Sequence, residues 1–214
     1  MIELLGKLPR KVAVAFSGGI DSVVALDFLS NNHEVTLLHF NHGETDPSSE
    51  IAQDFSERTA FRYECGFDSA TVSRPMNKGE SLEEYWRNMR YEWFDTLNHD
   101  CIVVAHHLDD CVETWIWSSL HGTPKTIPYK RGHNVYRPFL LNKKSVLENW
   151  RERKELTYIM DQCNEDMSRT RNYIRKELMP HCLVVNPGIH KVVKKKILES
   201  EKNLLTADVE TYIV

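Results

Sequence analysis

Residues Lys11 to Phe16, KVAVAF, form a short apolar run that ends abruptly in Ser17-Gly18-Gly19-Ile20-Asp21-Ser22. Such a run reads as a buried strand. The residues that follow, Asp21 to Ser30, carry Val24, Leu26 and Leu29 at helical spacing. A strand that turns through two glycines straight into a helix suits an anion. The glycines let backbone N–H groups approach a ligand, and the helix N-terminus adds about half a positive charge. Ser17 and Ser22 add hydroxyls. This is the chemistry for holding phosphate or pyrophosphate, and the bland alternative is a tight turn without a ligand.

Two common phosphate motifs do not fit. No G-x-x-x-x-G-K-[ST] is present, so the lysine of that loop is missing, and G-x-G-x-x-G is absent too. Asp21 would repel a phosphate unless a cation sits between them. Mg²⁺ bridging Asp21 and phosphate oxygens removes that conflict.

Downstream, strands and helices alternate. Glu34 to Phe40 reads as a second strand. Asp46-Pro47 reads as a cap and first residue of a helix to about Thr59. Phe61 to Cys65 reads as a short third strand. Ser81-Leu-Glu-Glu84 has the capping-box pattern and opens a helix to about Asn98. Cys101 to Ala105, CIVVA, is another buried strand, followed by a helix from about Asp109 to Leu120. Gly122 to Asn134 reads as a loop, and Ser145 to Glu148 as a second capping box. A helix from about Thr170 is expected to stop at Pro180, and a last one to run from Pro187-Gly188 to about Leu205. This order predicts an α/β fold: an open parallel sheet with helices on both faces, Rossmann-like, plus a short C-terminal helical extension. Ligands of such sheets bind at the carboxyl ends of the strands.

The 214 residues are 41% apolar with a mean hydropathy of −0.46. That is ordinary globular composition and excludes a fibrous or disordered chain. No apolar run approaches the roughly 18 residues that span a bilayer, and Met1 to Arg10 lacks a signal-peptide core. No membrane partner is expected. The five cysteines are scattered without a CxxC pair, which argues against a zinc or iron–sulfur site. It also fits a reducing, cytoplasmic setting. The net charge of −4 hides an asymmetry: Arg169 to Lys196 carries +7 and the remainder −11. A basic stretch on an acidic body is either an electrostatic footprint for nucleic acid or a solvated lysine face.

A second constellation follows the CIVVA strand: Ala105-His106-His107-Leu108-Asp109-Asp110-Cys111-Val112-Glu113-Thr114. Asp110 and Glu113 share a helix face. Two carboxylates there would hold Mg²⁺ or accept hydrogen bonds from an ammonium. Helix-dipole preference alone explains the aspartates, but not the paired histidines. On the helix after Ser81, Arg87, Arg90 and Tyr91 lie on one side, suited to clamp a phosphate or carboxylate, or simply to face water. Arg171 and Arg175 share a face of the helix from Thr170 and suit nucleotide or RNA phosphates.

SGGIDS resembles the PP-loop, or N-type ATP pyrophosphatase, superfamily. The chain as a whole is similar to the tRNA(Ile)-lysidine synthetase family. The resemblance rests on SGGIDS, HFNHG (His39 to Gly43), the RxxRY element (Arg87 to Tyr91), AHHLDDCVET and Arg137-Pro138-Phe139-Leu140. It rests further on the D-x-x-N-x-D run from Asp161 and the RNxIRxxLxP block from Arg171 to Pro180. These occur in family order between about Lys11 and Pro180.

The resemblance implies an adenine nucleotide alpha hydrolase-like fold and a ligase using ATP and Mg²⁺. Its substrates would be a tRNA(Ile) with a CAU anticodon and free L-lysine. The wobble cytidine would be adenylated at its C2 oxygen. The lysine amine would then displace AMP, giving lysidine. The carried-over phosphate loop is Ser17, Gly18, Gly19, Ile20, Asp21 and Ser22. Nucleotide contacts would also come from His106, His107, Arg171 and Arg175. Catalytic roles fall to Asp21, Asp110, Glu113, Arg87 and Arg90, with Asp21 and Asp110 as the metal pair. Another PP-loop tRNA-modifying reaction such as thiolation, or an inactive binding relative, is the alternative. Residues 1–180 would be the catalytic domain. Residues 181–214 would be a basic remnant of the domains that larger members carry, leaving tRNA selection to that tail or to a homodimer. The pattern departs from the family at Glu44-Thr45, Cys163, Arg169 and Gly122 to Asn134.

Overall fold

The computed structural model describes residues 1–43, 48–160 and 170–202. Its strands are β1 (Lys11–Ala15), β2 (Glu34–Asn41), β3 (Gly66–Thr71), β4 (Ile102–Val103), β5 (Lys130–Arg131) and β6 (Val135–Tyr136). The helices are α1 (Ile20–Ser30), α2 (Ser48–Arg62), α3 (Leu82–Thr96), α4 (Leu108–Leu120), α5 (Lys144–Arg153), α6 (Thr170–Tyr173), α7 (Met179–Val185) and α8 (Ile189–Ser200). A π-helical turn, Ile174–Leu178, joins α6 to α7.

The six strands are ordered β3-β2-β1-β4-β6-β5. All pairs are parallel except β5 with β6. The expected open parallel sheet is borne out, with one antiparallel edge. The chain builds outward from β1 through β2 to β3, then returns to place β4 on the other side of β1. The crevice at the carboxyl ends of β1 and β4 is therefore the topological switch point, where such sheets take their ligands.

Alternation along β1 covers both faces. Val12 and Val14 pack with α1 residues Val23, Val24 and Leu26 and with Leu147 of α5. Ala13 packs on the other face with Tyr91 and Phe94 of α3 and with Ile102. A third cluster joins Cys111, Val112 and Ile116 of α4 to Ile189, Val193 and Ile197 of α8. α8 thus buries an apolar stripe on α4 and turns Lys191, Lys195 and Lys196 to solvent.

Several local expectations are corrected. Phe61 to Cys65 is not a strand: α2 runs through Arg62, and the third strand is Gly66–Thr71. That strand lies at the sheet edge with Asp68 and Ser69 exposed, so it lacks an apolar alternation. Gly66 opens it because a β-carbon there would come within 3.1 Å of Thr36 Oγ1. The Gly122 to Asn134 loop holds the short strand β5. The capping box at Ser81 forms in part, with Ser81 accepting from the Glu84 N–H. The one at Ser145 does not: α5 starts at Lys144, whose N–H donates to Asp109 Oδ2 at 2.7 Å. Pro180 does not end the helix. It lies at the first turn of α7, directly after the π-helical turn, and Leu178 and Met179 before it keep right-handed helical angles, so the run passes through it. The Asp46-Pro47 cap, Glu44-Thr45, the run from Asp161 to Asp166, Arg169 and the end of the last helix near Leu205 lie outside the described residues. No helix among the described residues is long and apolar enough to cross a membrane.

Candidate active site

The phosphate loop closes on itself. The Ser17 N–H donates to Ser22 Oγ at 3.2 Å, and the Ser22 hydroxyl donates to the Gly19 carbonyl at 2.8 Å. Gly18 has φ +80°, and a β-carbon there would meet Ile159 Cδ1 at 3.1 Å and Phe55 Cδ1 at 3.3 Å. A side chain is excluded on both grounds. Gly19 caps α1 without a side-chain bond, and Ile20 opens the helix. On the strand beside the loop, His39 Nδ1 donates to the Phe16 carbonyl at 3.0 Å. Burial lowers the pKa of His39, which keeps the ring neutral and makes it a structural pin.

The second motif starts where β4 ends. His107 caps α4, and its N–H donates to Asp110 Oδ2 at 2.9 Å. The buried His107 ring lies among three carboxylates. Its Nε2 is 3.8 Å from Asp21 Oδ2 and 3.6 Å from Asp110 Oδ2, while its Nδ1 is 3.8 Å from Asp109 Oδ2. The two motifs therefore share one cleft. His106, next in line, is pushed down to about 3, first by burial, with Arg137, Arg171 and Arg90 adding to it and Asp110 opposing.

Asp110 and Glu113 do share a face, and both are engaged. Arg171 donates to Asp110 Oδ1 at 2.7 Å and to Glu113 Oε2 at 2.9 Å. Arg175 donates to Glu113 at 2.6 and 3.1 Å and to Asp110 Oδ1 at 3.3 Å. Glu113 is 2% exposed. Burial alone would raise the Asp110 carboxyl, but His107, Arg171, His106 and the His107 amide outweigh it and hold it below the usual carboxylate range. The π-helical turn carries Arg175, and such turns often sit at functional sites.

Arg87 and Arg90 lie beside Tyr91, with Cζ atoms 6.0 and 5.7 Å from its ring centroid, and the charge of Arg90 is felt at His106 of the second motif. Sequence reasoning missed their company. Arg131 stacks on the same ring at 3.6 Å. Arg137, 1% exposed, donates to the Tyr91 hydroxyl at 3.1 Å and to the Pro128 carbonyl at 2.7 Å. Burial, then the neighbouring guanidiniums, lowers the pKa of both Arg87 and Arg90, with Tyr91 opposing. Among the described residues no carboxylate pairs with Arg87, Arg90 or Arg131. Such a concentration of cations suits an anion.

Also missed were Lys144 and His190, and with them the role of Asp109. Lys144 Nζ donates to Asp21 Oδ1 at 2.6 Å. Asp109 accepts from the Lys144 N–H and from His190 Nε2 at 3.0 Å, which ties α8 to the cleft. No local pattern marks Lys144 or His190, because their partners Asp21 and Asp109 are far away in the chain.

As a cation site, the cleft is asymmetric. Among the described residues no three acidic, histidine or cysteine groups converge as a metal cage. Mg²⁺ often needs only one or two carboxylates beside phosphate oxygens and water. Asp21 fits that role with Oδ2. Both oxygens of Asp110 already accept hydrogen bonds.

A glycine-rich phosphate loop and an acidic helix start at one switch point define a nucleotide-binding α/β domain of the PP-loop class. The family model of the PP-loop domain matches residues 3–182, and the chain belongs to that family. Its similarity to tRNA(Ile)-lysidine synthases, expected from the motifs, is borne out. It is 32% identical over 187 residues to that enzyme of Staphylococcus aureus (strain MRSA252), covering 79% of this chain and 43% of the relative. It is 31% identical over 193 residues to that of Legionella pneumophila (strain Paris), covering 84% and 44%. The chain thus spans less than half the length of these curated relatives. A solved structure, the NH3-dependent NAD synthetase from Campylobacter jejuni subsp. jejuni NCTC 11168 in complex with nitrate, is similar at a TM-score of 0.48. Its identity is 12%, over 97% of this chain and 91% of that one.

Proposed function

We propose that the chain carries out ATP-dependent ligation of free L-lysine to C2 of the wobble cytidine in the CAU anticodon of tRNA(Ile). The observation that carries the reading is the shared cleft, in which His107 separates Asp21 of the phosphate loop from Asp110 by less than 4 Å on either side.

In the first step the cytidine C2 oxygen attacks the α-phosphorus of ATP, and the bond to pyrophosphate breaks. The amides of Gly18 and Gly19 and the hydroxyls of Ser17 and Ser22 hold the leaving pyrophosphate. Mg²⁺, held by Asp21 with Asp110 nearby, supplies further neutralisation of phosphate charge when bound. In the second step the lysine amine forms the new C–N bond, the C2–O bond breaks, and AMP leaves. Asp110 and Glu113 hold the ε-ammonium and take its proton. Arg171 and Arg175 now occupy those acids, so phosphates must draw the guanidiniums away as substrates enter. Arg87 and Arg90 hold the lysine carboxylate or a phosphate, and His106 and His107 line the nucleotide. Residues 1–180 carry this chemistry, and the basic tail from 181 meets the tRNA, alone or in a homodimer. A sulfur-transfer reaction is less well supported: burial pushes the Cys101 and Cys111 thiols up to about 12, which leaves them poor nucleophiles.

The test is mass spectrometry of nucleosides from CAU-anticodon tRNA incubated with protein, ATP, Mg²⁺ and lysine. Lysidine at the wobble position is expected, with pyrophosphate released in equal amount. Tight tRNA binding with no ATP turnover would instead make the chain a binding module.

A further inference from the structure

The phosphate loop has amides and hydroxyls but no cation of its own, and its first helical turn places the negative Asp21 beside the expected anion. A nucleotide with several charges needs an offset there. The structure supplies one from 123 residues away. Lys144, the first residue of α5, reaches the loop and donates from Nζ to Asp21 Oδ1 at 2.6 Å. Among the described residues this is the ammonium's one acceptor, so two of its three donors remain free. Its side chain is 29% exposed, so the ammonium is not sealed in by its pairing with Asp21.

The lysine is held from behind. Its backbone N–H donates to Asp109 Oδ2, and Asp109 Oδ1 accepts from His190 of α8. Asp109 in turn stands in the first turn of α4, beside the acids of the second motif. The start of α5 is thereby fixed against the phosphate loop by a tertiary cap, not by a side chain of its own helix. A half-open Lys–Asp pair adds little to folding, so the fold does not depend on it.

We infer that Lys144 binds the di- or triphosphate of the nucleotide, supplying from α5 the ammonium that the SGGIDS loop lacks. Asp21 holds the side chain in place until the phosphates arrive. The inference rests on the nucleotide reading given above.

The experiment compares the full chain with Lys144→Met and Lys144→Arg by calorimetry, using inorganic pyrophosphate, ATP and adenosine as probes. Lys144→Met is expected to weaken pyrophosphate and ATP by about tenfold or more, as for loss of a charge-assisted hydrogen bond. Adenosine binding should stay the same, and Lys144→Arg should recover most of the loss. Equal pyrophosphate and ATP affinity in wild type and Lys144→Met overturns the inference while leaving the nucleotide reading intact. Parallel loss of adenosine binding also overturns it, because the residue would then act only on the shape of the site. Failure of the wild type to bind either phosphate probe overturns the nucleotide reading, and the inference with it.

Discussion

His107 Nε2 lies 3.8 Å from Asp21 Oδ2, although 86 residues separate them. This approach joins the cap of α4 to the first turn of α1. It exists because β1 and β4 are neighbours, with Ala13 opposite Ile102 and Val14 opposite Val103. Two motifs at adjacent strand ends therefore face one another across a single crevice.

Asp110→Asn removes the charge that orients Arg171 and Arg175. Lysidine formation should stop, while the far-UV spectrum stays native. Stability should fall by about 1–2 kcal/mol in urea titration. That is below the loss for a fully buried pair, because both guanidiniums still touch water. Wild-type rates in this variant would remove Asp110 from the mechanism.

Tyr91→Phe deletes the acceptor of one Arg137 hydrogen bond. Among the described residues Arg137 Nε already has no partner, so the buried guanidinium has no spare hydrogen bond to fall back on. A loss of about 1–2 kcal/mol is expected from denaturation midpoints. No measurable change would mean that Arg137 finds another acceptor.

His106 should make the protein acid-sensitive well above the carboxylate range. Buried, it titrates near 3, against an ordinary value of 6.5. Between those values the unfolded chain binds more protons than the folded one. Its contribution is complete above about pH 6.5 and is lost as pH falls towards 3, by up to about 1.4 kcal/mol per unit. His39, also lowered, acts in the same direction. Urea midpoints at pH 7 and pH 5 should differ less in His106→Gln than in wild type; equal differences would refute the assignment.

Replacing Lys194, Lys195 and Lys196 together by Gln should weaken tRNA binding and flatten its salt dependence. For every RNA phosphate that these lysines no longer neutralise, the log–log slope should fall by about 0.7–0.9. Lys194 pairs with Glu3 at 2.7 Å, while Lys195 makes only a loose 3.8 Å pair with Glu199, so Lys195 and Lys196 should account for most of the effect. An unchanged slope would mark α8 as a solvated helix only. The fold should survive, because its packing face is Ile189, Val193 and Ile197.

The local patterns of the chain sufficed for the strand–SGGIDS–helix unit, the α4 start, the α/β class and the family. Each depends on neighbours within a few residues: glycines that free the backbone, an apolar run, acids at a helix start. Gly66–Thr71 was illegible for the opposite reason, since an exposed edge strand needs no apolar alternation. The start of α5 depended on Asp109, a cap borrowed from another helix. Only the tertiary structure brought Lys144 to Asp21, gathered Arg131 and Arg137 around Tyr91 with Arg87 and Arg90, and closed Arg171 and Arg175 on Asp110 and Glu113. These are contacts between charged groups of distant segments, and strand order decides which segments meet. A sequence records which groups are present, and their energies are set by distance and burial, which follow from how the sheet is threaded.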